Sequence, residues 1–215
     1  MKLKLFTTLL LLQAVVVTYG QNIRSNELHL YASMGVKQLN EKMFLFKHNV
    51  SPRLATTIGA GSFIQKNKFG VGMEFFYANA RNKMKDLQAD YSSLSNHVII
   101  GFKLNANENW RLSLQSGVGY TLEHLYVTNE EYQNGDHFNT VVFHKNYFSV
   151  PAAVFLQKVN LNGTFFSIKA GYLFPIKGSD WEFRERGNTR HFESGPEGWY
   201  VHFNMGGFLK FKPKP

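Results

Sequence analysis

Histidine and serine side chains are the groups in this chain that most readily support nucleophilic catalysis or metal binding. The eight histidines include neither an H-x-H pair within a strand nor an H-E-x-x-H motif, so no metal or other cofactor is expected. A hydrolytic group would be built from His124 or His144 with the nearby Ser149, although no spacing marks a triad. The sequence therefore favours a protein without enzymatic activity and leaves an enzyme as the alternative. The histidines are His29, His48, His97, His124, His137, His144, His191 and His202.

Ionisable residues form a second group, because they recur among glycines at every second position of strand-like windows. In the window 68–78, for example, Glu74 shares a face with Gly70 and Gly72. If that face is buried, its charges need partners, since removing an ion from water costs several kcal/mol. We expect one network of paired charges, and a proton path or binding site is the less favoured interpretation. The expected network contains Glu74, Arg111, Glu123, Lys169, Lys103 and Arg53.

Eight windows show the alternation of apolar and polar residues that is typical of a β-strand with two different faces. They span 27–36, 53–64, 68–78, 97–104, 110–123, 145–156, 163–173 and 199–211. One face of each window is apolar, and the other mixes glycine with charged and amide side chains. The windows predict eight antiparallel strands, and His29 and His202 would be neighbours if the first and last strands pair.

The composition of the mixed face decides which side points inward. It lacks the dense lysine and glutamate cover of a solvated surface, and small residues beside long polar ones suit a narrow eight-stranded interior. The polar face is therefore expected inside, and the apolar face outside against lipid. A lipocalin-like barrel with the opposite orientation is the alternative. The sequence thus predicts an all-β, eight-stranded, antiparallel, up-and-down transmembrane β-barrel.

The connections between the windows alternate between short and long. Residues 65–67, 105–109 and 157–162 form short turns, whereas 37–52, 79–96, 124–144 and 174–198 form long loops. Outer-membrane barrels have short periplasmic turns and longer extracellular loops. The pattern places both ends of the barrel chain on the periplasmic side.

The first twenty residues predict an export signal. Lys2 and Lys4 precede an almost unbroken apolar run, and cleavage between Gly20 and Gln21 would leave a mature barrel domain at 21–215. The chain has no cysteine, which excludes a disulfide scaffold. Without the first two lysines the formal charge falls from +9 to +7, which favours lipopolysaccharide phosphates or acidic polymers, not nucleic acid, as partners of an exported protein.

Aromatic residues predict the two edges of the lipid-facing band. Trp110 and Tyr120 lie ten residues apart, about 33 Å along a strand and about 25 Å after a tilt of ~40°. Trp199 and Phe211 bracket a similar height on a strand of opposite direction. These four residues are the expected aromatic girdle.

The chain resembles the small outer-membrane β-barrel domain proteins of Bacteroidetes-type Gram-negative bacteria, a porin-named family of OmpA- and OmpX-like barrels without a periplasmic domain. The segments that carry the resemblance are WRLSLQSGVGY at 110–120, FSVP at 148–151, KAGY at 169–172, and a last strand that ends at Phe211. The resemblance covers about 27–211 and implies an integral barrel in the cell envelope. It implies no particular activity.

The outer loops are where the sequence predicts binding specificity. Strand-like residues on both sides of Asn134-Gly135 predict a projecting hairpin at 124–144, either with open edges or shielded by other loops. The preferred hypothesis is a monomeric barrel whose loops bind a surface protein or polymer or support envelope integrity. A lipid-modifying enzyme and an accessory barrel of a secretion or transport assembly are the alternatives. The last loop carries the expected recognition residues Trp181, Phe183, Arg184, Arg186 and Arg190.

Overall fold

The computed structural model describes residues 27–39, 44–45, 48–49, 52–84, 87–105, 109–129, 140–160, 162–178, 181–185, 188–192 and 198–210. Every regular element in these ranges is a β-strand. No helix in the described ranges has the length and hydropathy needed to cross a bilayer. The strands are β1 (Glu27–Gln38), β2 (Phe44–Leu45), β3 (His48–Asn49), β4 (Leu54–Lys66), β5 (Phe69–Met84), β6 (Leu87–Lys103), β7 (Trp110–Asn129), β8 (Thr140–Val159), β9 (Thr164–Gly178), β10 (Trp181–Glu185), β11 (Asn188–Phe192) and β12 (Trp199–Lys210).

Eight of the strands close into a barrel. β8, β7, β6, β5, β4, β1, β12 and β9 are neighbours in that order, all antiparallel, and a further pairing of β8 with β9 joins the two ends. The predicted eight-stranded antiparallel barrel is therefore confirmed. Closure leaves the barrel wall without an unpaired edge.

Burial alternates along the barrel strands and places the polar face inside. In β5, Glu74 is buried in the lumen, whereas Phe69 is 68% exposed on the outside. In β1, Ser33 is buried and the next residue, Met34, is 64% exposed. A lipocalin-like orientation would bury the opposite set, so that alternative is wrong.

The turns at one end are tight. β4 and β5 are joined through Asn67, which has a φ of 54°, and β9 follows Gly163, which has a φ of 82°. Asparagine and glycine are the residues that adopt this left-handed backbone most readily. The short connections therefore lie together at the end of the barrel that carries Glu27 and Lys210.

The prediction of a long loop at 79–96 is wrong. β5 continues to Met84 and β6 begins at Leu87, and their register is unbroken from Phe69 opposite Phe102 to Met84 opposite Leu87. The apolar residues change faces here, because Leu87, Ala89 and Tyr91 are buried on the inner face, whereas further along β6 the apolar Val98 and Ile100 are exposed on the outer face. The sequence pattern of an apolar outer face therefore ends where the outer face becomes polar, although the strand continues.

An extension of the wall projects beyond the apolar band, formed by the outer parts of β5, β6, β7 and β8. Its inner side is an apolar cluster of Leu39, Ala55, Ala78, Leu87, Ala89, Tyr91, Leu125, Val127 and Phe143. β10 adds to β8 through Glu182 opposite His144 and Phe183 opposite Phe143, and β11 adds to β10. We call this projecting sheet of β5, β6, β7, β8, β10 and β11 the outer sheet.

The expected hairpin at 124–144 is part of the outer sheet. β7 pairs with β8 from His124 opposite His144 to Thr128 opposite Thr140. On its other side β7 pairs with β6 as far as Asn129 opposite Leu87. The edge of β7 is therefore covered, and the β10–β11 hairpin covers β8 at His144 and Phe143.

Candidate functional site

Among the residues that the structure describes, the charged side chains of the lumen form three separate layers. In the layer nearest the tight turns, the Arg111 guanidinium makes a two-pronged ion pair with Glu27, with Nη2 3.1 Å from Oε1. His29 Nε2 lies 3.1 Å from Glu27 Oε2, and His29 Nδ1 lies 3.3 Å from the Gln157 amide nitrogen. This layer closes one end of the lumen with paired groups.

The middle layer is the most deeply buried. Lys169 Nζ lies 2.5 Å from Glu74 Oε2, and each side chain is 1% exposed. The Tyr31 hydroxyl donates to the other carboxylate oxygen of Glu74 at 2.7 Å. A buried carboxylate needs such partners, because its water shell is lost.

The outer layer is centred on Glu123. Its Oε1 accepts hydrogen bonds from Lys37 Nζ at 3.1 Å, the Tyr91 hydroxyl at 2.5 Å and the Tyr147 hydroxyl at 3.0 Å. Lys145 Nζ lies 3.7 Å from Oε2. One carboxylate therefore faces two ammonium groups, and this layer carries the positive excess of the lumen.

Two members of the expected network, Arg53 and Lys103, do not belong to any of these layers. Arg53 is exposed just before β4, at the outer end of the barrel and away from the lumen. Lys103 is half-buried at the end of β6, near the tight turns. Glu74 and Lys169 are brought together, whereas Arg111 and Glu123 belong to different layers. Sequence reasoning missed Lys37 and Tyr91 because the first window ends at residue 36 and the fourth begins only at residue 97, although Lys37 follows Gly35 on the same face. Tyr31 and Tyr147 lie inside their windows, but a search for charged residues passes over them.

Aromatic rings fill the space between the layers, beside the glycines and polar groups that the sequence predicts for the interior. A Cβ added to Gly61 would overlap the ring of Tyr31, and one added to Gly119 would overlap His97. The glycines of the inner face thus leave the space that the large rings occupy. A cavity of about 20 Å³, beside Phe76 and His202, remains between the middle and outer layers, and it has room for about one water molecule.

The lumen histidines are not arranged as expected. The register pairs Gly35 with His202 and His29 with Phe208, so His29 and His202 are not neighbours. Within the described part of the chain, both ring nitrogens of His97 and of His202 are buried without a hydrogen-bond partner. The Phe76 ring contacts both, with ring centroids 5.8 Å and 4.4 Å away.

The proposed hydrolytic group is not assembled. His124 and His144 lie on the outer face of β7 and β8, whereas Ser149 is fully buried in the lumen. Ser149 is five residues from His144 on the same strand, and an odd separation places two residues on opposite faces. The barrel wall therefore separates the candidate nucleophile from the candidate base.

The girdle residues that the structure describes lie on the outside. Trp110 and Trp199 are 46% and 41% exposed, and Tyr120 packs against Phe148 with ring centroids 4.9 Å apart. Phe211 lies outside the described residues. Of the expected recognition residues, Trp181, Phe183 and Arg184 are in β10, Arg190 is in β11, and Arg186 lies outside the described residues.

Polar residues replace the apolar band on the outer sheet. Arg81 Nε donates to Asp90 Oδ1 at 2.6 Å across the β5–β6 pair, and the Gln88 amide donates to Oδ2 at 2.7 Å. Partial burial raises the pKa of Asp90, but the hydrogen bonds from Gln88 and Arg81 outweigh it and hold the pKa below its ordinary value. The outer sheet is thus charged and hydrogen-bonded on the side that faces water.

Comparison with known proteins identifies the class of fold. No protein-family model matches the chain, and no curated protein matches its sequence. Solved structures match it in shape, and several of them are outer-membrane proteins. The chain therefore has the fold of a small outer-membrane β-barrel.

Three of these structures show how similar the fold is. The outer-membrane protein OprG of Pseudomonas aeruginosa matches with a TM-score of 0.64 and 11% identity, over 87% of this chain and 97% of OprG. A major outer-membrane protein of Thermus thermophilus gives 0.52 and 9% over 86% and 99%, and Ail of Yersinia pestis gives 0.51 and 13% over 86% and 98%. At these identities the shared property is the fold.

Proposed function

We propose that the mature chain is an integral outer-membrane protein with a closed lumen, whose outer sheet binds a partner at the cell surface. The observation that carries this proposal is the combination of a lumen closed by three ionic layers with a folded sheet beyond the apolar band. The protein acts as a monomer, without catalysis or a solute path.

The apolar band supports insertion in a bilayer. Large apolar side chains face outward around the whole barrel, and Met34, Ile58, Phe69, Ile176 and Phe203 are each more than half exposed. Soluble monomers rarely expose contiguous apolar surface of this extent, whereas outer-membrane barrels carry such a band against lipid. The export signal predicted at 1–20 and cleaved after Gly20 would deliver the chain to that location. A Bacteroidetes-type envelope remains the setting that the sequence resemblance implies.

The closed lumen argues against a porin role. The cavity of about 20 Å³ is the size of a water molecule, and ionic or aromatic side chains lie above and below it. Opening a path would separate buried charges from their partners, which costs about 3–5 kcal/mol for each pair. The lumen is therefore a packed core.

The outer sheet supports binding. Its apolar inner side gives it a core of its own, and β10 and β11 extend it beyond the barrel wall. The positive formal charge of the chain favours an anionic surface polymer or lipopolysaccharide phosphates. One matched structure, Ail, bears the name attachment invasion locus protein, so the fold is compatible with a role at the surface.

Neither alternative function gains support from a specific observation. A lipid-modifying enzyme would need a nucleophile near His124 or His144, and Ser149 points away from both. An accessory barrel of a secretion assembly would use the periplasmic turns, where the described side chains form local hydrogen bonds, such as Asn160 Nδ2 to Thr164 Oγ1 at 3.0 Å.

Two measurements test the proposal. The mature protein, reconstituted in a planar lipid bilayer, should give no conductance steps above the bare bilayer, and steady single-channel steps would overturn the closed lumen. In nanodiscs it should bind dextran sulfate, and this binding should weaken with salt. Neutral dextran is the matched control, and equal binding of both polymers would contradict an electrostatic surface site.

A further inference from the structure

The outer side of the barrel wall carries an apolar groove within the lipid-facing band. It has a volume of about 870 Å³ and crosses β5, β6, β7, β8 and β9. Two adjacent rungs of the sheet form it, one running from Phe69 to Ala170 and the next from Val71 to Tyr172. Pockets that hold small molecules measure about 300–1,000 Å³. The groove therefore has the size of a binding site, although it opens on the bilayer and not on water.

Glycines on the inner face explain why the wall is concave here. Gly70, Gly101 and Gly171 lie beneath the groove, and a Cβ added to Gly70 or Gly101 would overlap the ring of Phe63. A Cβ added to Gly171 would come within 2.8 Å of the Tyr200 ring. Without these side chains the backbone lies directly against the rings of the lumen. The wall is thus thin at this place, and a depression is left on the side that faces lipid.

Two exposed lysines lie at the end of the groove that is nearest the tight turns. Lys66 is opposite Phe69 in the β4–β5 pair, and Lys68 directly precedes Phe69 in the sequence. Within the described part of the chain, neither ammonium group makes an ion pair. Glu27, the acid that the structure describes at this end, is bound to Arg111 inside the lumen. The two positive charges are therefore available to an anion outside the barrel.

A third lysine shows that this end of the groove is at the edge of the apolar band. Lys158 on β8 is opposite Trp110, and its Nζ lies 5.7 Å from the centroid of the Trp110 ring. Lys158 and Val154, which lines the groove, are on the same face of β8, about 13 Å apart along the strand. A lysine beside an interfacial tryptophan extends its ammonium group to the level of the lipid headgroups. The basic end of the groove is therefore where phospholipid phosphates lie.

We propose that the groove binds an anionic phospholipid of the periplasmic leaflet, with its acyl chains along the two rungs and its phosphate at Lys66 and Lys68. The charge of the lysines selects this occupant. Lipopolysaccharide headgroups lie at the cell surface, beyond the opposite end of the wall. A second copy of the barrel, related by a two-fold axis along the membrane normal, would bring the same lysines towards each other. The site is distinct from the surface site of the proposed function, which lies on the outer sheet.

The test is native mass spectrometry of the mature protein in detergent micelles, titrated with phosphatidylglycerol or with phosphatidylcholine of the same acyl chains. The wild type should retain one phosphatidylglycerol molecule more tightly than phosphatidylcholine. Each lysine near an anionic lipid favours binding by about fivefold, so the double variant Lys66→Gln with Lys68→Gln should lose a preference of up to about 25-fold. Lys210→Gln is the matched control and should keep the preference, because Lys210 is exposed at the same end of the barrel but lies on β12, three strands from β5.

The acyl-chain part of the site is tested by filling the groove. Ala152 lines the groove opposite Ser116, so Ala152→Phe places a ring in it and should weaken the binding of both lipids. Ala32→Phe is the matched control, since Ala32 is exposed on the lipid-facing side of β1, outside the groove. It should bind both lipids as the wild type does.

A heat-dependent gel shift of every variant shows that the barrel has folded. Equal affinity of the wild type for the two lipids, or an unchanged preference in the double lysine variant, would overturn the headgroup site. Unchanged binding of both lipids in Ala152→Phe would overturn the groove as the place of the acyl chains.

Discussion

Replacing Lys169 by methionine removes the ammonium group from the middle layer of the lumen and keeps the length of the side chain. Glu74 then retains one described partner, the Tyr31 hydroxyl at 2.7 Å. Because Glu74 is 1% exposed, its carboxylate has no access to bulk water. We expect Lys169→Met to destabilise the barrel more than the loss of any charged pair on its surface.

The size of the effect follows from two possible responses of the variant. Glu74 either stays ionised without its partner or takes up a proton. Leaving a buried ion without its partner costs about 3–5 kcal/mol. Protonating an ordinary glutamate of pKa ~4.3 at pH 7 costs about 3.7 kcal/mol, at 1.36 kcal/mol for each pH unit. The expected loss at pH 7 is therefore about 3–4 kcal/mol. At pH 5 the cost of protonation falls to about 1 kcal/mol, so the deficit should shrink as the pH falls.

The assay is urea unfolding of the barrel in phospholipid vesicles, followed by tryptophan fluorescence. The double variant Glu74→Gln with Lys169→Met removes both charges and should recover most of the stability, because a buried ion pair contributes little net stability compared with neutral residues of similar size. Arg81→Met is the surface control. The side chains of Arg81 and Asp90 are 69% and 35% exposed, and the loss of such a pair costs at most about 1 kcal/mol.

Two results would refute this reasoning. If Lys169→Met lost less than the surface control, the middle layer would not be sequestered from water. If its loss were the same at pH 5 and pH 7, the cost would come from packing rather than from a buried charge.

Three further predictions concern the lumen and its rim. Gly61→Val should cost at least about 1–3 kcal/mol in the same urea assay, because its side chain meets the Tyr31 ring, whereas Gly207→Ala, whose Cβ would lie 3.6 Å from its nearest neighbour, should change little. Glu123→Gln leaves two ammonium groups facing a neutral amide, and should lower the urea midpoint by more than Arg81→Met does; an unchanged midpoint would show that water screens the outer layer. Asp90 ionises with a lowered pKa, so its small contribution to stability should be present at neutral pH and lost as the pH falls through that pKa; an Asp90→Asn deficit that stays constant from neutral pH to the lowest pH at which the barrel is folded would contradict it.

The architecture was predictable because a barrel wall has only two faces. The alternation of Phe69, Val71 and Met73 with glycine and Glu74 determines which residues share a side, and the small and polar residues of one side indicate that it is the inner one. The identity of the charge partners was not predictable in the same way. Glu74 and Lys169 are 95 residues apart, and they meet across the lumen on strands that are not neighbours. Strand order does not specify such contacts, which depend on the stagger of the barrel and on the rings that fill it.

The outer boundary of the apolar band can be recognised in the sequence only when both faces are followed together. Along β7 the inner face changes from Thr121 and Glu123 to Leu125 and Val127, while the outer face changes from Leu122 to His124. An apolar inner face with a polar outer face is the pattern of a water-exposed sheet, and the reverse is the pattern of a lipid-exposed wall. The exchange of faces therefore marks the level at which the chain leaves the bilayer. Following the apolar face alone ended the predicted strand at Glu123, six residues short of Asn129.

The contact between His124 and His144 shows how far the sequence restricts the register of two strands. On both β7 and β8 the inward residues, such as Glu123 and Lys145, have odd numbers, so only registers that pair odd with odd residues keep both faces continuous. A two-residue turn at Asn134-Gly135 would place His124 opposite Lys145, an inward residue, and the alternation of faces excludes that register. Pairing with residues 142, 144 or 146 remains allowed by sequence, and only the folded register selects His144. A side-chain pair that depends on one register among several equivalent ones has no signature in the spacing of its residues, which is why histidine motifs in the sequence do not reveal it.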